Sequence, residues 1–102
     1  MSFCLIILAA GNSLRFTSNI NKPYQKIAGK SLVEITIDKA RQFKQIKKIT
    51  LVYNKKDIKR VKSLKLKNVK LILGGKNRQQ STLNALKSLI GQKGISKVLI
   101  HD

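Results

Sequence analysis

The stretch FCLIILAAG, residues 3–11, decides how this chain folds. Its apolar run from Phe3 to Ala10 is far shorter than the roughly 20 residues that cross a bilayer. No Lys or Arg precedes the run, whereas a secretory signal begins with a positively charged segment. Large and β-branched apolar residues bounded by glycine are typical of a strand that is buried on both faces. The run therefore predicts a buried parallel strand with a loop that starts at Gly11.

Three further apolar runs follow the first, and segments with helical spacing separate them. The predicted strands are FCLIILA (3–9), KKITLVY (47–53), VKLIL (69–73) and KVLIH (97–101). The predicted helices cover 31–44, 55–64 and 78–90. Strands that alternate with helices at these lengths favour right-handed βαβ units. We therefore predict an α/β fold, a parallel-strand α/β/α sandwich.

The first predicted helix has a clear start. Ser31 stands at the N-cap and Glu34 three residues later, which is the pattern of a capping box. Four residues near helical spacing predict its buried face: Val33, Ile37, Ala40 and Phe43.

The last predicted helix begins after Asn77, which is a plausible cap. Its predicted buried face consists of Thr82, Leu86, Leu89 and Ile90.

The fourth strand ends at His101-Asp102 with no helix following to cover it. We therefore expect residues 1–102 to be the N-terminal, nucleotide-binding part of a larger domain, truncated after the fourth strand.

The composition restricts the class of protein. The net charge is +18, and 18 of the 22 basic residues are lysines spread over several predicted elements. Aromatic residues for base stacking are scarce, so we expect no specific nucleic-acid partner. The single Cys4 lies inside the first strand, which excludes an internal disulfide and favours a reducing, cytoplasmic compartment.

Two common phosphate motifs fail on their spacing. Gly29-Lys30-Ser31 resembles the end of a P-loop, but position 24 is tyrosine where that motif requires glycine. Gly11 likewise lacks the two further glycines of the dinucleotide fingerprint.

Three clusters remain, and each follows a predicted strand. In the first, small residues would let a ligand approach the backbone and two cations would suit a polyphosphate. It consists of Ala9, Ala10, Gly11, Arg15 and Lys22. The second places Gly74-Gly75 and Ser81 at a helix start, where free N–H groups favour anions. The third is Asp102, a carboxylate suited to Mg²⁺.

Together these segments resemble a known family. LAAGNSLRF, NKPYQKIAGKSLVE, LGGKNRQQSTLNAL and KVLIHD are similar to the family patterns AAGxGxR, PKQYxxLxGxPxL, GGxxRxxSVxxGL and VLVHDAARP. These patterns belong to the first half of the 2-C-methyl-D-erythritol 4-phosphate cytidylyltransferases of the non-mevalonate isoprenoid pathway. The resemblance implies a Rossmann-like nucleotidyltransferase fold. It also implies transfer of CMP from CTP to 2-C-methyl-D-erythritol 4-phosphate with release of pyrophosphate.

The resemblance also implies roles for individual residues. Arg15 and Lys22 match the cations that stabilise the transition state, and Asp102 matches the carboxylate at the metal, Mg²⁺. The nucleotide pocket matches Ala9, Ala10, Gly11, Gly74, Gly75 and Ser81. The implied partners are CTP and a sugar-alcohol phosphate, with no membrane. The family's homodimer uses an arm that lies beyond Asp102.

The chain departs from the family pattern at Ser13, Pro23 and Lys76. Three alternatives stay open: a ribitol 5-phosphate cytidylyltransferase, a basic polyanion-binding module and a non-catalytic remnant.

Overall fold

The computed structural model describes residues 3–10, 26–27, 29–89 and 97–101. The strands are β1 Phe3–Ala9, β2 Lys26–Ile27, β3 Lys30–Ser31, β4 Ile46–Tyr53, β5 Val69–Leu73 and β6 Lys97–His101. The α-helices are α1 Leu32–Ala40, α2 Ile58–Ser63 and α3 Arg78–Ser88. A 3₁₀ turn at Lys55–Asp57 leads into α2. The small antiparallel pair of β2 and β3 is the element that the sequence pattern did not predict.

Four strands of the described chain form one sheet in the order β5-β4-β1-β6, and every neighbouring pair is parallel. The predicted parallel sheet is thus confirmed. Ala9, Tyr53 and Leu73 lie side by side where β1, β4 and β5 end. The chain adds strands on one side of β1 and then crosses to place β6 on the other side. Sheets of this kind bind ligands beyond the carboxyl ends of the strands, at the point where the order reverses.

Helices cover both faces of the sheet. Side chains of α1 and α2, including Val33, Ile37 and Val61, pack with Leu5 and Leu51 on one face. On the opposite face Ala85 of α3 packs with Cys4, Ile6 and Val52. The molecule is therefore the predicted α/β/α sandwich, because a sheet that is apolar on both sides requires a helix layer on each.

The start of α1 follows the predicted capping box. The Glu34 N–H donates to Ser31 Oγ at 3.2 Å, and the Ser31 N–H donates to Glu34 Oε1 at 3.0 Å. The helix ends at Ala40, before Phe43, whose side chain is 59% exposed. Phe43 was therefore wrongly assigned to the buried face, because it lies in the turn after the helix and not on it.

The buried face of α3 also differs from the prediction. Ser81 and Ala85 are buried, whereas the predicted Leu86 is exposed. The predicted Leu89 does pack against the core, and Ile90 lies outside the described residues. The Asn84 Nδ2 donates to the Leu73 carbonyl, and the Lys70 Nζ donates to the Ser88 carbonyl. These bonds join α3 to β5, and the small Ser81 and Ala85 side chains let the helix lie close to the sheet.

Strand β6 lies at one edge of the described sheet, and all five of its residues are exposed. Among the helices that the structure describes, none has both the length and the apolarity needed to cross a membrane.

Candidate functional site

The carboxyl edge of the sheet brings three segments of the chain together. Ala10 follows β1, Asn54 follows β4 and Gly74-Gly75 follows β5. The Gly74 N–H donates to the Tyr53 carbonyl at 2.8 Å, so the segment after β5 is tied to the end of β4. This hydrogen bond therefore holds the main chain after β5 at a fixed distance from the end of β4.

Gly74 is required by close packing. A Cβ at this position would overlap the Cβ of Ala10 and would lie 3.0 Å from Ser81 Oγ and 3.2 Å from the Tyr53 carbonyl oxygen. Packing this close leaves no room for a methyl group. Only glycine therefore lets the segment after β5 lie directly on the residue that follows β1.

Gly75 joins this edge to the start of α3. Its N–H donates to the buried Ser81 Oγ at 3.0 Å, and a Cβ on Gly75 would overlap the side chain of Gln80. The hydroxyl of Ser81 therefore acts as an acceptor for the loop that precedes its own helix. This bond holds Gly75 over the first turn of α3.

Side chains also order the backbone at the start of α3. Asn77 Oδ1 accepts from the Gln80 N–H at 2.8 Å, and Gln80 Oε1 accepts from the Lys76 N–H at 2.8 Å. The helix dipole adds partial positive charge at this end. These two hydrogen bonds occupy the N–H groups of Lys76 and Gln80, so the helix dipole, and not those N–H groups, would favour a phosphate or another anionic group here.

The structure brings together five of the sequence-predicted site residues at this edge. They are Ala9, Ala10, Gly74, Gly75 and Ser81. The predicted Gly11, Arg15, Lys22 and Asp102 lie outside the described residues, as do Ser13 and Pro23. The roles of the two cations and of the terminal carboxylate therefore stay predictions.

Within the part of the chain that the structure describes, no group of three or more His, Cys, Asp and Glu side chains could hold a metal ion. The predicted ligand Asp102 lies outside these residues, so the magnesium site stays a prediction. The magnesium prediction depends on Asp102 alone, and we derive no step through the metal.

Asn54 also lies at this edge, and sequence reasoning missed it. Its side-chain Nδ2 donates to the Ala10 carbonyl at 3.0 Å. The available signal was its place directly after the second strand, because polar residues at strand ends converge at this edge. The predicted site drew only on residues that follow the other three strands.

Described residues line two open cavities that lie away from the carboxyl edge. One of about 580 Å³ lies at the amino ends of β4 and β5, beside Lys48, Asn68 and Lys70. The other, of about 210 Å³, lies between α1 and the segment before β5, beside Asp38 and Lys67. Neither includes the close backbone contacts of the carboxyl edge, so we place the candidate site at the edge and not in these cavities.

Two groups with a shifted pKa, Cys4 and Lys30, also lie away from the edge. Burial raises the pKa of the Cys4 thiol, against smaller lowering effects of its contact with Thr50 and of nearby lysines. The Asp38 carboxylate raises the pKa of the exposed Lys30 through a 2.7 Å ion pair. Neither shift marks a catalytic group.

Comparison with known proteins identifies what the chain is similar to. Residues 3–102 match the family described as IspD: 2-C-methyl-D-erythritol 4-phosphate cytidylyltransferase. The "Bifunctional enzyme IspD/IspF" of Pelagibacter ubique is 49% identical over 100% of this chain and 27% of its own length. The "Bifunctional ribulose 5-phosphate reductase/CDP-ribitol pyrophosphorylase Bcs1" of Haemophilus influenzae is 35% identical over 95% of this chain and 22% of its own length.

A solved structure with a similar name is also similar to this chain in sequence and fold. The 4-diphosphocytidyl-2C-methyl-D-erythritolsynthase of Anaerococcus prevotii superposes with a TM-score of 0.70 at 32% identity. The match covers 99% of this chain and 42% of that protein. The chain therefore spans less than half the length of each of these three proteins.

Proposed function

The chain belongs to the 2-C-methyl-D-erythritol 4-phosphate cytidylyltransferase family, and from this premise we propose that it carries the CTP-binding part of such an enzyme. The observation that carries the proposal is the contact of Gly74 with Ala10 beside the point where the strand order reverses. We expect the space for the base at this edge to be narrow, because main chain and small side chains surround it. A narrow pocket with fixed N–H and C=O groups favours the smaller pyrimidine ring over a purine.

The proposed reaction joins CTP to a sugar-alcohol phosphate. A phosphate oxygen of the acceptor attacks the α-phosphorus of CTP, the bond to the β-phosphate oxygen breaks, and pyrophosphate leaves. Catalysis of this kind depends on positioning and on neutralising the charge that builds on the phosphoryl oxygens. We assign that neutralisation to Arg15 and Lys22. By analogy with loss of an oxyanion donor, removal of either one should lower turnover on the order of 10²-fold or more.

The acceptor, the metal and the cellular setting belong to the same proposal. The family favours 2-C-methyl-D-erythritol 4-phosphate as acceptor. The 35% identity to the Haemophilus influenzae CDP-ribitol pyrophosphorylase supports ribitol 5-phosphate as a second candidate. Mg²⁺ held by Asp102 would supply further charge neutralisation at the phosphates. The free, buried Cys4 supports a cytoplasmic location, and a homodimer of the full-length enzyme is proposed from the family.

Equilibrium binding of CTP, ATP and GTP to the chain tests the nucleotide part of the proposal. We expect CTP to bind at least about tenfold more tightly than either purine nucleotide, since a purine would require the backbones to separate. Ser81→Ala should weaken CTP binding about tenfold by removing the acceptor of the Gly75 N–H. Ser88→Ala is the matched control, because Ser88 Oγ donates to Ala85 at the far end of the same helix. Equal binding of all three nucleotides would overturn the proposal.

Pyrophosphate release from CTP tests the catalytic part. The release should depend on adding 2-C-methyl-D-erythritol 4-phosphate or ribitol 5-phosphate, and the acceptor that gives the higher rate is the substrate. A chain that binds CTP but releases no pyrophosphate with either acceptor contradicts catalysis by these 102 residues and leaves nucleotide binding as their function.

A further inference from the structure

Asn54 makes an unusual set of hydrogen bonds at the end of β4. Its Oδ1 accepts from the Lys56 N–H at 3.0 Å, and its main-chain carbonyl accepts from the Asp57 N–H at 2.8 Å. Its Nδ2 donates to the Ala10 carbonyl at 3.0 Å. One half-buried residue therefore caps the turn that leads into α2 and also holds the end of β1.

The two partners fix the orientation of the side-chain amide. The Lys56 N–H is a donor and must meet the oxygen, whereas the Ala10 carbonyl is an acceptor and must meet the nitrogen. The opposite rotamer would place donor against donor and acceptor against acceptor. The orientation therefore follows from the backbone on both sides.

Few side chains could meet both demands. Asp, Ser and Thr can cap the turn, but an ionised Asp cannot donate to the Ala10 carbonyl. Ser and Thr are too short to reach both groups. Capping alone would therefore accept several residues, whereas capping together with donation requires an amide.

Ala10 is held from two directions as a result. Asn54 binds its carbonyl, and Gly74 packs against its Cβ. A hydrogen bond from one side and a packing contact from the other therefore restrict the position of the residue that precedes the following loop. That loop carries Arg15 and Lys22 in the sequence.

We propose that Asn54 is a positioning residue of the nucleotide site, which acts through the Ala10 peptide and does not itself contact CTP. This inference rests on the proposed function. It assigns the end of β4 to the site, in addition to the ends of the strands that the sequence pattern indicated.

Three variants of the full chain distinguish an effect on the position of Ala10 from a loss of stability and from the effect of an added negative charge. Asn54→Asp keeps the acceptor that caps the turn and loses the donor to Ala10. Asn54→Ala loses both bonds and introduces no charge. Asn68→Asp, at an exposed residue near the amino end of β5, is the control that adds the same charge far from the site.

We expect Asn54→Asp and Asn54→Ala to weaken CTP binding about tenfold, and Asn68→Asp to leave it unchanged. Asn54→Asp should unfold at a urea concentration between those of the wild type and Asn54→Ala, because its cap remains but its bond to Ala10 is lost. As the pH falls through the pKa of the carboxyl group that Asn54→Asp introduces, that group becomes protonated and can donate to Ala10 again. The CTP affinity of Asn54→Asp relative to wild type at the same pH should therefore recover under acidic conditions.

Wild-type CTP affinity in both Asn54 variants would overturn this inference while leaving the nucleotide site intact. A loss of affinity that only follows the loss of stability, with no recovery at low pH, would reduce Asn54 to a structural cap and also overturn it. Failure of the wild-type chain to prefer CTP would instead contradict the proposed function. The outcomes of the two tests are therefore distinguishable.

Discussion

The absence of one methyl group at Gly74 lets two strand ends meet. A Gly74→Ala substitution should push the segment after β5 away from Ala10 and from the Tyr53 carbonyl. Overpacking of this kind costs about 1–3 kcal/mol of the free energy of unfolding. We expect urea unfolding to detect that loss, and we expect CTP affinity to fall at least about tenfold because the pocket walls move apart.

Removal of the Ala10 Cβ, the other partner in this contact, provides the control. Ala10→Gly removes the Cβ that Gly74→Ala would strike, so the double variant should recover part of both the stability and the CTP affinity. Recovery would be partial, since Ser81 Oγ and the Tyr53 carbonyl stay close to the new methyl group. Unchanged CTP binding in Gly74→Ala alone would show that the close approach does not matter for the nucleotide.

Cys4 should react slowly with thiol reagents in the native protein. It is fully buried, and burial raises its pKa above the ordinary value of 9.0, so the thiolate fraction at pH 8 is reduced. Alkylation by iodoacetamide at pH 8 should be at least about a hundredfold slower than in urea, because it requires local opening. The native rate should increase as the pH is raised above 9. Rapid alkylation of the native chain at pH 8 would contradict the buried position.

At the scale of elements, the capping box makes a separate contribution to stability. Replacing the buried Ser31 by Ala removes the acceptor of the Glu34 N–H at the start of α1. The free energy of unfolding should fall by about 1 kcal/mol. Ser63→Ala is the matched control, since Ser63 is exposed and its hydroxyl donates only to Arg60 one turn earlier. Equal stability of the two variants would argue against the cap.

Sequence periodicity predicted elements better than it predicted their faces. The strands β1 and β5 and the cap at Ser31 were predictable because apolar runs and N-cap residues are local signals. The buried face of α3 was predictable only in part, because the small Ser81 and Ala85 are buried on it together with the predicted Leu89. A rule that places large apolar residues inside therefore selected Leu89 correctly but included the exposed Leu86 and missed the small buried residues.

The candidate site was predictable in part for a related reason. Gly74-Gly75 and Ser81 follow a strand and open a helix, which is a pattern visible in sequence. Asn54 gave only its position after a strand, because its role depends on a carbonyl 44 residues earlier. Contacts of that range have no periodicity and become visible only in the folded chain.

At the scale of the whole molecule, β6 leaves apolar surface uncovered. Val98, Leu99 and Ile100 are all exposed on this edge strand of the described sheet. Exposed apolar edge strands promote association, while a net charge of +18 opposes it through repulsion that salt screens. We expect sedimentation to show association that increases with salt. Val98→Lys should suppress it, and a monomer at all salt concentrations would contradict this prediction.

The same net charge attracts nucleotides without selecting among their bases. Any nucleoside triphosphate is attracted to a chain with 22 basic residues, so affinity alone does not identify a site. Preference among bases and the position of the bound nucleotide are the informative quantities. Both follow from the backbone contacts at the carboxyl edge and not from the lysines.

NMR spectroscopy tests the proposed cytidine site at the carboxyl edge most directly. The isotope-labelled chain is titrated with CTP and, separately, with ATP, and the backbone amide signals are followed. The account predicts that CTP shifts the amides of Ala9, Ala10, Gly74, Gly75 and Ser81 at lower concentration than ATP does. The amide signals of Lys48 and Lys70, which lie beside the cavity at the amino ends of β4 and β5, should not shift. Shifts concentrated on those lysines, or equal responses to CTP and ATP, would contradict a cytidine site at the carboxyl edge of the sheet.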